Sequence, residues 1–211
     1  EIKAYTNIKW YEDEIPLVLT KDVKPTHLNS KQLDADEKRY ARTFNSCQGR
    51  ISGLRNSITI RNHCEYDILA TGEEWTAVVP IGNQVFNIEP VHDHVFRPKD
   101  TNVAKVSSPW LVETNNPDVN FVMASHILNT TGLAIPTGVL TTELAVLNYF
   151  LYIPKQNVKY TVPFKHPMIQ LFPLTDLPIS IESEYNIDKY EELATIAISR
   201  PQFSGGFAFK K

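Results

Sequence analysis

The chain has 211 residues, of which 42% are hydrophobic and 21% are charged, and its formal net charge at pH 7 is −3. This length and composition suit one sizeable β domain with appendages, because a chain of this size can bury most of its apolar surface. The charge balance lacks the basic face that duplex nucleic acid requires. No apolar run approaches the roughly 20 residues that a membrane-spanning helix needs. We therefore expect neither duplex nucleic acid nor a membrane as a partner.

The first third of the chain predicts short strands and two helical or extended segments. Frequent proline (14 residues) and scarce glycine (8 residues) are typical of many short strands joined by turns. The runs IKAYTNIKWY (2–11) and IPLVLT (15–20) predict two strands. The second half of the polar run 27–44 predicts a solvated helix or an extended arm, and a short helix is expected at 46–56 with Ser46 as its N-cap.

The pattern then becomes strand after strand. Residues 57–80 alternate well enough for two strands that turn at Thr71-Gly72. NNPD at 115–118 predicts a turn, and VNFVMASHIL (119–128) predicts a core strand. A late helix is expected in NIDKYEELATIAISR (186–200), because its apolar residues recur near helical spacing before Pro201.

Tryptophan and cysteine carry packing predictions. Trp10, Trp75 and Trp110 are expected to be core or interface anchors, and Trp110, which follows a proline within a strand-like run, is assigned to packing. Cys47 and Cys64 are either two buried thiols in a reducing compartment or one disulfide.

Residues 138–174 resemble the trimeric dUTP pyrophosphatases, in which a hairpin of the form GVIDxDY leads into strands and then into GDRIAQL. Gly138, Val139 and Leu140 match the start of that pattern, and Gln170-Leu171 match its glutamine-leucine end. The run SGGFAF (204–209) is similar to the glycine-phenylalanine arm of those enzymes. The resemblance implies a mainly β fold, with a distorted β-barrel or β-clip core, a few short helices and extended terminal arms.

The chain departs from this family at the catalytic positions. Thr141 stands where the family has the aspartate that activates water, and a hydroxyl cannot serve as a general base near neutral pH. Glu143 lies two residues further on, and Lys165-His166 replace the Gly-Asp of the second motif. Pyrophosphatase chemistry is therefore not expected. One alternative is an inactive nucleotide-binding relative, with a ligand pocket at Gly138, Thr141, Glu143 and Gln170.

A wider resemblance is to an uncharacterised β-rich family of bacteria and tailed phages. Its motifs resemble residues 46–68 and 107–129, followed by the dUTPase-like end. Together these features divide the chain into N-terminal strands with a polar helix or arm (1–45), a β-rich core domain (46–176) and a C-terminal helix with an aromatic tail (177–211).

These resemblances imply a non-enzymatic binding or assembly protein without a cofactor, in its most concrete form a phage virion component. A trimer is favoured, with capsid or tail proteins as further partners. The tail residues Phe203, Phe207 and Phe209 would reach a neighbouring subunit. We expect the protein in the cytoplasm or the virion, because its first residues lack the charged and apolar regions of a signal peptide.

A metal-dependent oxygenase is the other alternative. His92 and His94 would point to the same side of a strand and could hold iron or another divalent metal, as in the cupins. A third ligand would come from His126, His166 or Glu113. The glutamate and glycines that frame the cupin motif are missing, so this alternative depends on the histidines alone.

Overall fold

The computed structural model describes residues 1–23, 56–79, 88–91, 99–116, 119–140, 146–175 and 177–199. Over these residues the chain forms thirteen strands, the helices α1 (Lys9–Glu14) and α2 (Ile187–Ser199) and a 3₁₀ turn at Thr20–Asp22. The prediction of a mainly β protein with few helices is confirmed. The strands are β1 (Ile2–Thr6), β2 (Val18–Leu19), β3 (Ile58–Arg61), β4 (Tyr66–Thr71), β5 (Glu74–Val78), β6 (Ile88–Pro90), β7 (Thr101–Thr114), β8 (Phe121–Ser125), β9 (Gly138–Leu140), β10 (Val146–Pro154), β11 (Val158–Val162), β12 (Pro167–Pro173) and β13 (Ile181–Tyr185).

The strands build three sheets. The first sheet has the order β10–β7–β1–β13, with β6 also paired to β7. The second sheet has the order β2–β3–β12–β8–β9, and the third has the order β11–β4–β5. Among the described strands, no sheet closes into a barrel. The dUTPase-like barrel or β-clip architecture therefore stays a prediction.

Strand β1 is an interior strand of the first sheet, and it brings the two ends of the described chain together. Ile2 lies opposite Thr114 in the antiparallel pairing with β7 and opposite Ile181 in the parallel pairing with β13. Of the three segments that the sequence suggested, 1–45 and 177–211 each contribute one strand to this sheet, and 46–176 contributes β6, β7 and β10.

Residues 9–14 form helix α1, so the prediction of a strand through residue 11 is wrong. Tyr11 and Ile15 are four residues apart and both are buried, which is the spacing that places two side chains on the same face of a helix. The alternation of Ile8 and Trp10 imitates a strand, but Trp10 is exposed.

Residues 57–79 contain three strands, β3, β4 and β5, where the sequence predicted two. The predicted turn at Thr71-Gly72 is confirmed, with β4 and β5 paired from Asp67 opposite Val78 to Thr71 opposite Glu74. Gly72 has a φ of 68°, a conformation that glycine adopts without steric cost. The extra strand, β3, joins the second sheet rather than the third.

A continuous apolar core fills the space between the sheets. Trp110 is 1% exposed, so its assignment to packing is confirmed. Phe121 and Met123 on β8 are also buried, as predicted for a core strand. Other large buried side chains of this core are Tyr11, Tyr66, Tyr149, Ile58, Ile68, Leu151, Ile153 and Ile169.

Helix α2 confirms the late helix that the sequence predicted. Asn186 caps it, because its Oδ1 accepts a hydrogen bond from the Lys189 backbone N–H at 3.0 Å. Leu193 packs against Tyr5 of β1 and Leu111 of β7. Neither described helix is long and apolar enough to cross a membrane.

Candidate functional site

The chain crosses from the third sheet to the second at residues 163–166, between β11 and β12. Lys165 in this turn has a φ of 63°, a left-handed conformation that costs a residue other than glycine about 1 kcal/mol. Such conformations persist only where the surrounding structure enforces them, and they cluster at functional sites. The turn is therefore a candidate ligand site, as is the turn at Asp100, where φ is 61°.

Asn62, which follows β3 and is fully buried, enforces this conformation. Its backbone N–H donates to the His166 carbonyl at 2.8 Å, and its carbonyl accepts from the Lys165 N–H at 2.9 Å. Its side-chain Nδ2 donates to the carbonyls of Val162 at 3.2 Å and Pro163 at 2.9 Å, and also to that of Cys64. These bonds fix the turn before any ligand arrives.

A groove of about 350 Å³ lies beside the turn. This volume is at the lower end of the range for small-molecule sites, roughly 300–1,000 Å³. Residues 130–131, just before β9, form one wall, and the turn itself forms another. We call it the turn groove; its lining residues are Thr130, Thr131, Thr161, Pro163, Phe164, Lys165 and His166.

One lining residue of the groove, Phe164, contacts an aromatic ring of α1. The rings of Trp10 and Phe164 have centroids 5.9 Å apart and planes inclined by 51°. Both are unusually open for aromatic side chains, with 41% and 37% of their surface exposed. Lys165 Nζ lies 5.2 Å from the Phe164 ring centroid, within cation–π range, and pairs with the Glu14 carboxylate of α1.

The charged groups around the turn groove are matched in pairs. Lys165 pairs with Glu14, and Lys159 pairs with Asp67 at 2.8 Å. The Thr161 hydroxyl donates to the Asp67 carboxylate at 2.6 Å. The hydrogen bond from Lys159, followed by that from Thr161, lowers the pKa of Asp67 below its ordinary value. The charge of each lysine is thus offset by a carboxylate.

His166 is held at the groove by the opposite wall. Its Nε2 accepts a hydrogen bond from the Thr130 backbone N–H at 3.2 Å. A backbone N–H can only donate, so the neutral imidazole carries its proton on Nδ1. The imidazole therefore joins the 163–166 turn to the segment that leads into β9.

A second group of polar side chains is buried in the second sheet near the groove. His126 Nδ1 accepts from the Leu128 N–H at 3.0 Å, so Nε2 carries the proton and donates to Thr59 Oγ1 at 3.0 Å. Thr59 in turn donates to Thr20 Oγ1 at 3.0 Å. Gln170 Nε2 donates to Ser57 Oγ at 2.8 Å, and Ser57 donates to Thr20 at 2.9 Å. We call this group the polar network: Thr20, Ser57, Thr59, His126 and Gln170.

Burial keeps His126 uncharged. Desolvation, together with smaller electrostatic contributions from His166 and Arg61, lowers its pKa from 6.5 to about 4. The neutral ring suits the polar network, because protonation would force Nδ1 to face the Leu128 N–H as a second donor.

The structure places the predicted metal ligands as follows. His126 has both ring nitrogens hydrogen-bonded, so a metal there would have to replace one of these bonds. His166 lines the turn groove, and Glu113, on β7 in the first sheet, pairs with Lys189 at 3.1 Å. His92 and His94 lie outside the described residues. The metal site stays a prediction.

The predicted nucleotide pocket is described only in part. Gly138 begins β9, and Gln170 lies two strands away on β12, with its side chain in the polar network. Thr141 and Glu143 lie outside the described residues, as do the tail residues Phe203, Phe207 and Phe209. Cys64 is buried. The described part of the chain does not include Cys47, the predicted arm, or the predicted helix at 46–56 except for Asn56.

The outer face of the second sheet carries an exposed apolar surface. Val122 lies opposite Val139 on one side and opposite Phe172 on the other, so the three side chains share a face. Leu174, two residues after Phe172, continues that face. Val139 is 63% exposed and Leu174 is 59% exposed. We call this surface the apolar strip: Val122, Val139, Phe172 and Leu174.

The residues that build the turn groove form no pattern in the sequence that predicts a site. The sequence marks Lys165 and His166 as replacements for a family motif, His166 also as a candidate third metal ligand, and Trp10 as a packing residue. One local signal was present: Phe164, Lys165 and His166 stand between Pro163 and Pro167 in PFKHP, a spacing typical of a displayed turn. The sequence around Asn62 does not predict its role, because that role depends on the end of β3 packing next to the turn that follows β11.

Comparisons with known proteins identify no relative. No protein-family model matches the sequence, and no curated protein gives a significant match. The resemblances to the dUTP pyrophosphatases and to the phage and bacterial family therefore stay predictions. The geometry of the turn groove and of the apolar strip carries the functional argument.

Proposed function

We propose that the protein is a non-enzymatic binding protein that holds a small ligand in the turn groove. The observation that carries this proposal is the left-handed Lys165, held by the fully buried Asn62 in a turn that presents Phe164 and His166. A fixed site needs no ordering when the ligand binds, so more of the contact energy appears as affinity.

The turn groove has the composition of a binding site. It combines exposed aromatic surface, from Phe164 and the neighbouring Trp10, with hydroxyl and imidazole groups whose positions are fixed by hydrogen bonds. A few oriented polar groups beside apolar surface are what small-molecule sites use for orientation and specificity.

A ligand screen by nuclear magnetic resonance tests this proposal. Mixtures of saccharides, nucleotides, amino acids and short peptides are added at millimolar concentration, and the indole N–H signals of Trp10 and Trp75 are followed. We expect at least one class to shift the Trp10 signal while leaving Trp75 unchanged, and Phe164→Ala to abolish the effect. If no class shifts Trp10, the groove is not a ligand site.

Self-assembly is a second candidate function, and the apolar strip is the observation that favours it. Val139 and Leu174 expose more than half of their surface on one face of the second sheet. The occupant would be a second copy of this chain, because a net charge of −3 on 211 residues gives little repulsion between copies. The trimer, the aromatic tail and the virion setting rest on the resemblances and remain part of this proposal.

A further inference from the structure

We infer that the ligand of the turn groove is a neutral saccharide of one or two rings. This inference rests on the proposed binding function and specifies its ligand class. Three features of the described residues support it: the balance of charge, the hydrogen-bonding groups and the aromatic surface.

The balance of charge disfavours an ionic ligand. An anion would gain most from a cation without a partner, but Lys165 is paired with Glu14. Lys159, the next nearest lysine along β11, is paired with Asp67. An anionic ligand would have to compete with these carboxylates for the ammonium groups, and a cationic ligand would have to compete with the lysines for the carboxylates. A neutral ligand leaves both ion pairs intact.

The hydroxyl groups of the groove suit a ligand that both donates and accepts hydrogen bonds. The Thr161 hydroxyl gives its proton to Asp67, so its oxygen can only accept from a ligand. The Thr131 hydroxyl is likewise oriented, donating to Asn129 Oδ1 at 2.8 Å and accepting from the Leu133 N–H at 3.3 Å. Lys165 adds ammonium N–H donors. Sugar hydroxyls can satisfy donors and acceptors alike.

The aromatic surface suits the face of a sugar ring. One face of a pyranose presents C–H bonds, which carry partial positive charge and pack against the negative face of an aromatic ring. Trp10 supplies an exposed aromatic surface beside the groove, at a centroid distance of 5.9 Å from Phe164. The volume of about 350 Å³ limits the ligand to a small one.

The experiment is a titration of the full chain with defined probes, read from the Trp10 indole signal. The neutral probes are glucose, maltose, cellobiose, mannobiose and diacetylchitobiose. Glucuronate and inorganic phosphate are the anionic comparators, and glycerol controls for polyol effects. We expect at least one neutral saccharide to bind saturably, with a Kd in the millimolar range or lower. Trp10→Phe removes the indole signal, so binding to this variant is measured by saturation-transfer NMR, and we expect a higher Kd.

Two substitutions in the groove and one control outside it separate groove contacts from general effects. Phe164→Ala removes the exposed ring, and we expect it to weaken saccharide binding about tenfold, equivalent to 1.4 kcal/mol. Leu177→Ala, at another exposed apolar position, is the matched control and should leave the Kd unchanged. Thr161→Val, which removes an exposed hydroxyl, provides an independent second variant and should also weaken binding.

Three outcomes would overturn the inference: no saturation by any neutral saccharide, tighter binding of phosphate or glucuronate, or equal effects of Phe164→Ala and Leu177→Ala. If nucleotides or peptides shift Trp10 and saccharides do not, the inference fails while the binding function stands. If no probe of any class shifts Trp10, both fail.

Discussion

The Nε2 atom of His126 lies 3.0 Å from Oγ1 of Thr59 in the buried part of the second sheet, and the neutral ring donates this hydrogen bond. Because Nδ1 accepts from the Leu128 N–H, the polar network has one arrangement of protons, which requires an uncharged His126. This relationship links the stability of the fold to pH.

We predict that acid destabilises the fold between pH 6.5 and 4. Burial lowers the folded-state pKa of His126 to about 4 from 6.5, so the unfolded chain binds more protons in this window and stability falls with falling pH. The loss for this residue reaches about 3 kcal/mol near pH 4, at 1.36 kcal/mol for each pKa unit. His63, whose pKa burial also lowers to about 4, adds a similar loss.

Urea unfolding at a series of pH values measures this loss, and an NMR titration of the His126 ring measures its pKa directly. The groups that face the ring and affect its charge are His166 and Arg61, so both are monitored in the same spectra. A His126 that titrates near 6.5 in the folded protein would contradict the prediction.

We predict that Asn62→Ala destabilises the protein and releases the turn. The substitution removes the side-chain donor from the carbonyls of Cys64, Val162 and Pro163, and each hydrogen bond lost costs roughly 1 kcal/mol. We expect a loss of about 3 kcal/mol in the free energy of unfolding, measured by urea titration, with shifted amide signals at Lys165. Asn115→Ala, at an exposed site, is the control; equal losses in the two variants would refute the role of Asn62.

We predict that Val139→Lys and Leu174→Lys lower the oligomeric state, if copies of this chain bury the apolar strip. A lysine at either position places a charge in an apolar contact, which is unfavourable unless it is paired. Sedimentation equilibrium gives the mass of each variant. Val158→Lys, at an exposed valine of the third sheet, is the matched control. A wild-type protein that is monomeric at all concentrations would exclude assembly through this surface.

We predict that Asn186→Ala destabilises helix α2. The substitution removes the oxygen that accepts from the Lys189 N–H, and the loss of such a cap costs about 1 kcal/mol. Thermal unfolding followed by circular dichroism would detect it. Asn186→Asp keeps an accepting oxygen at the cap and should retain most of the stability. If both variants lose the same stability, the cap is not the cause.

Local sequence patterns predicted the elements that are stabilised mainly by contacts between residues close in sequence. The hairpin at Thr71-Gly72 and helix α2 follow from turn chemistry and helical spacing, and both are present. Helix α1 was missed because six residues give too few repeats to separate periods of two and 3.6, and Trp10 lies on its exposed side.

The turn groove could not be predicted in the same way. Its residues come from positions near 130 and from 161–166, and Trp10 and Asn62 support it from two further parts of the chain. They come together because the chain passes between the second sheet, which contains β3 and β12, and the third sheet, which contains β4 and β11. The register of those pairings depends on long-range packing, which a single sequence does not reveal.

The parallel pairing of β1 with β13 also has a consequence for how the protein is made. During synthesis β1 emerges before every other described strand, and its parallel partner β13 emerges after all of them. All the other described strands have therefore emerged from the ribosome before β13 can pair with its edge of β1. Pairings between such distant segments form slowly and leave an open strand edge in the meantime. We expect yield in a cell to depend on chaperones that shield nascent strands, more than the stability of the finished fold would suggest.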